Sequence, residues 1–286
     1  MRPVPHQTGR VTDLIFAERL GMRTKHGWVF RDVGLALAPG SVTALVGAGG
    51  SGRSMLLLAL AGRARPTTGR LVVAGQQRRG RIRKAVAVAR VTSAVELDPD
   101  LRVVDHIREA ELLAIGDFDY HWSSGLLGVD AGPTTVVGDL PHDEATLLAV
   151  ALVLAGRPEA LVLDDVDQAV TPQAQQRIFA ALLAVGAAGI AVVTSVLDGT
   201  HAADAGADVI PLDPPEPRPD DPSPTADDTE QIDTGQIDIG RIGTTRNDGE
   251  GDNADEPGGS ESPSATTVEN TGSTSSSEGG TADARG

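Results

Sequence analysis

Residues 45–62 read LVGAGGSGRSMLLLALAG, and the reading of this stretch decides the fold. An apolar run enters it and another leaves it, with four glycines between. From Gly47 to Ser54 the order is Gly47, Ala48, Gly49, Gly50, Ser51, Gly52, Arg53, Ser54. It fits the phosphate-loop pattern G-x4-G-K-[ST] at every place but Arg53. Such a loop needs glycines because backbone N–H groups must close around phosphate oxygens at φ values that a side chain disfavours. It also needs a helix to begin there, so that the helix's positive end faces the anion. A strand over 42–47 and a helix over 54–62 supply that setting. The plain alternative is a glycine-rich strand–helix turn with no ligand. Arg53 keeps the lysine's charge, but its planar fork is bulkier and not equivalent. The expected phosphate contacts run from Gly47 through Ser54 to Met55, with the Ser54 hydroxyl meeting Mg²⁺.

A second stretch, Leu161-Val162-Leu163-Asp164-Asp165, is an apolar strand ending in two acids. Beside a phosphate loop, such an acid holds magnesium through water. Alone the pattern is weak, since buried strands often end in a helix-capping acid. Its place downstream of the loop makes Asp164 the expected metal residue.

Charge is distributed unevenly along the 286 residues. Residues 213–286 hold 18 acidic and 4 basic side chains, so that stretch carries −14. Residues 1–212 hold 22 acidic and 20 basic, a net of −2. The near-neutral body does not call for a nucleic-acid partner. There is no cysteine, and the six histidines form no i, i+4 pair, so no metal other than Mg²⁺ is expected. The first ten residues, MRPVPHQTGR, lack the apolar region of a secretory signal, which makes a cytoplasmic setting the default. Residues 178–197 form a twenty-residue run without charge, long enough to span a membrane. Thr171 and Pro172 mark a helix start before it, and GAAG interrupts it. A helix over 172–185, a turn at 186–189 and a buried strand over 190–194 account for the run better.

Three segments follow: a tail over 1–10, a folded domain over 11–212, and an acidic Pro/Ser/Thr/Gly-rich tail over 213–286. The last has too few apolar residues to offset the entropy of ordering, so disorder is expected there. Inside it EQIDTG is followed by GQIDIGRIG, a near-repeat open to two readings: a docking motif built on isoleucines, or an echo in biased sequence. In the body, strands are expected at 70–75, 160–165 and 209–212, and helices at 103–115 and 145–156. Strands this apolar belong to a parallel sheet covered by helices on both faces. The basic run Arg78, Arg79, Arg81, Arg83, Lys84 lacks interleaved aromatics and reads as a solvated loop and strand edge.

Over about 11–212 the chain resembles an ATP-binding cassette protein, the nucleotide-binding subunit of ABC transporters. PGSVTALVGAGGSGRSMLLLALAGRARPTTGRLVVAG is similar to the family's first half. Residues 100–107 resemble the opening of its helical subdomain. Residues 137–140 and the run AVALVLAGRPEALVLDD resemble its signature helix and Walker B strand. The resemblance implies a P-loop α/β fold with a mainly parallel sheet, an antiparallel β subdomain and a helical subdomain. It also implies ATP and Mg²⁺ as cofactors, a separate integral-membrane permease as partner, a second cassette subunit, and a place at the inner face of the membrane.

The departures bear on activity. The family's Leu-Ser-Gly-Gly-Gln signature is matched by Leu140, Pro141, His142, Asp143 and Glu144. The glutamine loop falls near Ser93 without a glutamine, and the switch histidine falls near Val196 without a histidine. The resemblance implies Asp165 as the catalytic residue, in place of the usual glutamate, and His26 or Trp28 is left to stack on adenine. Actinobacterial cassette proteins that accompany phage-infection-type membrane proteins show similar erosion. The expectation is MgATP binding with poor hydrolysis; the alternative is an assembly or regulatory protein whose nucleotide is structural. A small-metabolite kinase is disfavoured, because residues 118–142 contain no lysine or arginine for a lid. Pro141 lacks an N–H, and Asp143 and Glu144 set negative charge where a second cassette's phosphate would dock. ATP is therefore not expected to close a symmetric homodimer.

Overall fold

A computed structural model describes residues 13–92 and 94–215. The expected tails over 1–10 and 213–286 lie outside these residues, apart from 213–215.

Two sheets organise the chain. β1 (Ile15–Thr24), β2 (Gly27–Leu37) and β4 (Thr68–Val73) form an antiparallel sheet in the order β2-β1-β4. Ile15 lies opposite Leu37 on one side and Val73 on the other. Arg19 breaks the β1 register with φ 48, and Gly69 answers it at φ 83. A Cβ on Gly69 would lie 2.2 Å from the Arg19 carbonyl oxygen, so only glycine fits that bulge.

The second sheet is parallel, with β3 (Val42–Val46), β5 (Val86–Arg90), β6 (Ala160–Leu163), β7 (Ala191–Val196) and β8 (Asp208–Pro211) in the order β5-β6-β7-β3-β8. Every residue of β6 and β7 is buried, as strands covered on both faces must be. Alternation sends Ala160, Val162, Ala191 and Val193 to one core and Leu161, Leu163, Val192 and Val196 to the other. The first core takes in α1 (Arg53–Leu60) and the antiparallel sheet. The second takes in α5 (His142–Leu154) and α6 (Pro172–Ala187). A small third cluster joins α3 (Val103–Leu113) to α5 through Val103, Val137, Leu148 and Leu152. Helix α4 (Tyr120–Leu127) completes this helical part, and α7 (Thr200–Ala205) precedes β8.

The uncharged run over 178–197 is divided as the sequence suggests: α6, a left-handed Gly189, then β7. No helix among the described residues is long and apolar enough to cross a membrane. Helix α6 continues past Val185 because Gly186 lets it touch the β2–β3 turn. A Cβ there would lie 2.7 Å from the Gly40 carbonyl. One expectation is corrected. The basic run is not a loop and strand edge but α2 (Arg79–Ala85), anchored by buried Ile82 and Ala85 one turn apart. Helix α5 starts three residues before Ala145, since Pro141 caps it and two acids follow in its first turn. The strand at the two acids ends at Leu163, because Asp165 turns left-handed at φ 46.

Candidate functional site

The glycine loop joins the C-terminal end of β3, inside the parallel sheet, to α1. Ligands in open α/β sheets bind at that end of the strands. Gly52 caps α1 at φ 83 with no side-chain hydrogen bond, and no acid stands in the helix's first turn. The first N–H groups of α1 thus have no internal anion. A Cβ on Gly52 would meet the Val29 carbonyl oxygen at 2.2 Å, and one on Gly47 the Leu212 carbonyl at 2.4 Å. These two glycines hold the ends of the loop against β2 and the chain after β8. Between them Ala48, Gly49 and Gly50 are exposed, and a Cβ on Gly49 or Gly50 would meet nothing within 4 Å. The cradle is open at its mouth and tight at its base. Ser51 is buried with its hydroxyl free of hydrogen bonds, while Ser54 and Met55 are half-buried in the first turn of the helix.

Arg53 is 8% exposed, and its Nη2 lies 3.1 Å from Asp165 Oδ1. Its Nη1 is buried without a partner. Asp165 Oδ2 accepts from Thr92 at 3.3 Å. Burial and then neighbouring Asp164 push the Asp165 carboxyl above its usual range, with Arg53 opposing them. Asp164 is fully buried; its Oδ1 accepts from the Ser195 hydroxyl, and its Oδ2 has no partner. The Asp165 N–H donates to that same hydroxyl at 2.9 Å.

The orphaned atoms fit a nucleotide with its metal. Asp164 Oδ2 is a buried acceptor and Arg53 Nη1 a buried cationic donor, and each is costly to leave unpaired. Among the described residues no cluster of three or more His, Cys, Asp or Glu forms a protein cage for a metal. Magnesium does not need one, since it is commonly held by one or two protein oxygens together with phosphates. Asp164 and Ser54 match that donor set.

Several residues at this site escaped the sequence reading. Arg90 ends β5, and its guanidinium donates to the carbonyl oxygens of Asp164 at 3.1 Å and Asp165 at 2.8 Å. The same guanidinium donates to Thr146 Oγ1 at 2.9 Å and lies 2.9 Å from His142 Nε2. It ties the turn after β6 to the first turns of α5. An arginine closing the apolar strand VAVAR was a visible signal of such a job. Ser195 was another, as a hydroxyl inside the buried run VVTSV. The switch position expected near Val196 is filled by these groups: Val196 itself packs in the core, and Ser195 reaches the two acids. Asp167 Oδ2 then accepts the Leu197 N–H at 2.6 Å and fastens the loop that follows. Ser93 lies outside the described residues.

At the signature-like segment, Asp143 and Glu144, expected to set negative charge there, are ion-paired. Arg177 of α6 donates to Asp143 Oδ2 at 2.8 Å and to Glu144 Oε2 at 2.6 Å. Glu144 Oε1 accepts the Asp130 N–H at 2.7 Å. The pairing, Glu144 first, raises the Arg177 pKa. Repulsion of a nucleotide by these acids is therefore weaker than their charge suggests, whereas the missing N–H of Pro141 remains. Of the two candidates for adenine, Trp28 is engaged: its ring packs on Gly21, with Arg31 at 4.7 Å and Arg23 at 5.6 Å. His26 is exposed.

Known proteins resemble this chain in sequence and fold. Residues 30–168 match the model of the ABC transporter family. The ribose import ATP-binding protein RbsA 1 of Rhizobium johnstonii is 27% identical over 175 residues, covering 57% of this chain and 34% of that protein. An ABC transporter ATP-binding protein of Streptomyces avermitilis is 32% identical over 202 residues, covering 68% of this chain and 36% of that protein. The chain thus spans about a third of the length of these two curated relatives. Among solved structures, a nucleotide-free ATP-binding cassette from an ABC transporter superposes with a TM-score of 0.61 at 14% identity, covering 71% of this chain and 88% of its own. A dimeric post-hydrolysis cassette bound to ADP and Pi gives 0.58 at 17%, covering 69% and 94%. These likenesses show a shared fold, that of ABC ATP-binding cassettes. With its phosphate loop, its paired acids after β6 and this family match, the chain belongs to the ABC transporter family.

Proposed function

We propose that residues 11–212 bind MgATP at the β3–α1 loop and hydrolyse it poorly, for a separate membrane permease at the inner face of the membrane. The observation that carries the reading is the Arg53–Asp165 pair at 3.1 Å. The residue in the phosphate lysine's place and the residue in the catalytic acid's place neutralise each other. MgATP brings a chain of negative oxygens and a divalent cation to the loop. The N–H groups of residues 47–55 bind those oxygens, and Arg53 Nη1 is free to join them. Asp164 Oδ2 and the Ser54 hydroxyl hold the metal.

Hydrolysis needs a base placed against water. Asp165 is one methylene shorter than glutamate, which sets its carboxylate back by roughly 1.5 Å. Thr92 and Arg53 hold it, and Ser195 binds Asp164 rather than reaching outward as a switch histidine would. A misplacement of about 1 Å costs on the order of 100-fold in rate. The same pair favours the second reading, a nucleotide-binding regulatory protein with no turnover. Single-turnover hydrolysis in the presence of the membrane partner separates the two.

Calorimetric titration tests the binding site. Arg53→Ala is expected to weaken MgATP at least tenfold, and Asp165→Asn to tighten it severalfold by releasing the guanidinium. Equal affinities in all three proteins would refute the assignment. Turnover at several per second, abolished by Asp164→Ala, would refute the poor hydrolysis.

A further inference from the structure

At the β5 edge of the parallel sheet, away from the phosphate loop, α2, the end of α3 and the α5–β6 connection enclose a cleft of ≈ 370 Å³. Its walls are apolar, with Ala114, Ile115 and Phe118 on one side and Leu152 on the other. Ile115 is 71% exposed and Leu112, one turn earlier, 84%. Four cations line the cleft, Arg63, Arg83, Lys84 and Arg157, against Glu159 in the lining and Asp119, which lies 3.7 Å from Arg157 Nη2. Burial, and then the facing Arg83 guanidinium, lowers the Arg63 pKa, so like charges crowd there. Along the adjoining helix, Arg78, Arg79 and Arg81 make no ion pair with any described residue. A cationic rim around an exposed apolar floor calls for an occupant that is both acidic and aliphatic.

The chain carries such a segment. Residues 230–243 read EQIDTGQIDIGRIG, with Gln-Ile-Asp at 231–233 and again at 236–238. Of the five large aliphatic residues in 213–286, four lie here: Ile232, Ile237, Ile239 and Ile242. Three acids and one arginine give the segment a net charge of −2. Reach is sufficient. From Pro215 to Gln231 is 16 residues, up to roughly 55 Å of chain. The described chain leaves β8 at one edge of the sheet, and the cleft lies at the other, four strand spacings or about 19 Å away. Tethering also gives the segment an effective concentration near the millimolar range, so a weak contact suffices.

We propose that residues 230–243 of this chain dock in the cleft between α2, α3 and α5. Isoleucines cover its apolar walls, and Asp233 and Asp238 meet Arg83 and Lys84. The proposal does not depend on nucleotide binding.

The absence of cysteine makes the test clean. In the full chain, Ala114→Cys with Ile237→Cys is oxidised, and the intramolecular disulfide is followed as a mobility shift on gels. Ala114→Cys with Ser275→Cys, in the same acidic region, serves as the reference. The expected yield at 237 is at least tenfold above that at 275. Arg83→Glu with Lys84→Glu should abolish the difference, and adding Asp233→Arg with Asp238→Arg should restore it. Ile232→Ser with Ile239→Ser should lower the yield severalfold while leaving the body untouched, so the result stands even where the charge-reversed body folds poorly. Equal yields at 237 and 275 would mean general acidic attraction and overturn the proposal. An intermolecular disulfide in place of the intramolecular one would assign the cleft to a second copy, and would overturn it too.

Discussion

The two helix starts that a cassette uses for phosphate, those of α1 and α5, are built alike and filled differently. Each lacks a side-chain hydrogen bond at its N-cap, Gly52 for α1 and Pro141 for α5. Each presents the positive end of a helix. At α1 the first turn has no acid, and the preceding loop is open. At α5 the first turn holds Asp143 and Glu144, with Arg177 clamped across both. One terminus carries no acid, and the other is closed off by an ion-paired cluster of Asp143 and Glu144 with Arg177. The comparison teaches that two helix starts of one fold can differ in what surrounds them: the α1 start is bare, while the α5 start holds charges that are already engaged.

The comparison breaks most severely at Gly52. An Ala there would take a left-handed φ, at about 1–2 kcal/mol, and bring Cβ against the Val29 carbonyl. Gly52→Ala is expected to destabilise the body by about 3 kcal/mol and to abolish MgATP binding, as seen by thermal melting and calorimetry. Ordinary stability with full binding would mean that the loop is not the tight cradle described.

At the closed terminus, Arg177→Ala strands the buried Glu144 carboxylate. Breaking a buried pair costs about 3–5 kcal/mol, but Arg177 is 41% exposed at its side chain, so water takes over part of its role. A loss of about 1–2 kcal/mol in urea unfolding is expected. A neutral result would show that the clamp carries nothing.

A smaller effect concerns pH. Burial, and then the Arg90 guanidinium, holds His142 below its usual range. The unfolded chain therefore takes up that proton first. Stability is fully present above about pH 6.5 and falls as pH drops from there through the folded value. His142→Gln should flatten this slope by about 1–2 °C in Tm between pH 7.5 and 5.5. An unchanged slope would place the titration elsewhere.

The smallest expected effect is none at all. Asp165→Asn with MgATP should show no monomer-to-dimer shift in light scattering, because Pro141 offers no N–H and the α5 terminus is already neutralised. A clean dimer would mean that the closed terminus opens to a second cassette's nucleotide.

Local rules carried the sequence reading a long way. The loop glycines, the two-faced burial of β6 and β7, the Thr171–Pro172 helix start and the acids ending the Walker B stretch were all legible. Each depends on φ, on a two-residue alternation or on a helix cap, which neighbours in sequence dictate. The basic run misled because arginines dominate it, although Ile82 and Ala85 one turn apart were the anchors that made it a helix.

What the sequence by itself determined, then, is the fold and the place of the phosphate loop. Tertiary structure alone decided which charges meet. Arg53 pairs with Asp165 across 112 residues, Arg177 with Asp143 across 34, and Arg90 reaches the Asp164 carbonyl across 74. A side chain's charge is written in its residue type, but its partner is set by which strands and helices packing brings side by side. Whether Arg53 faces a phosphate or its own Asp165 is decided by that packing and by the electrostatics of a buried site, where an unpaired charge is costly.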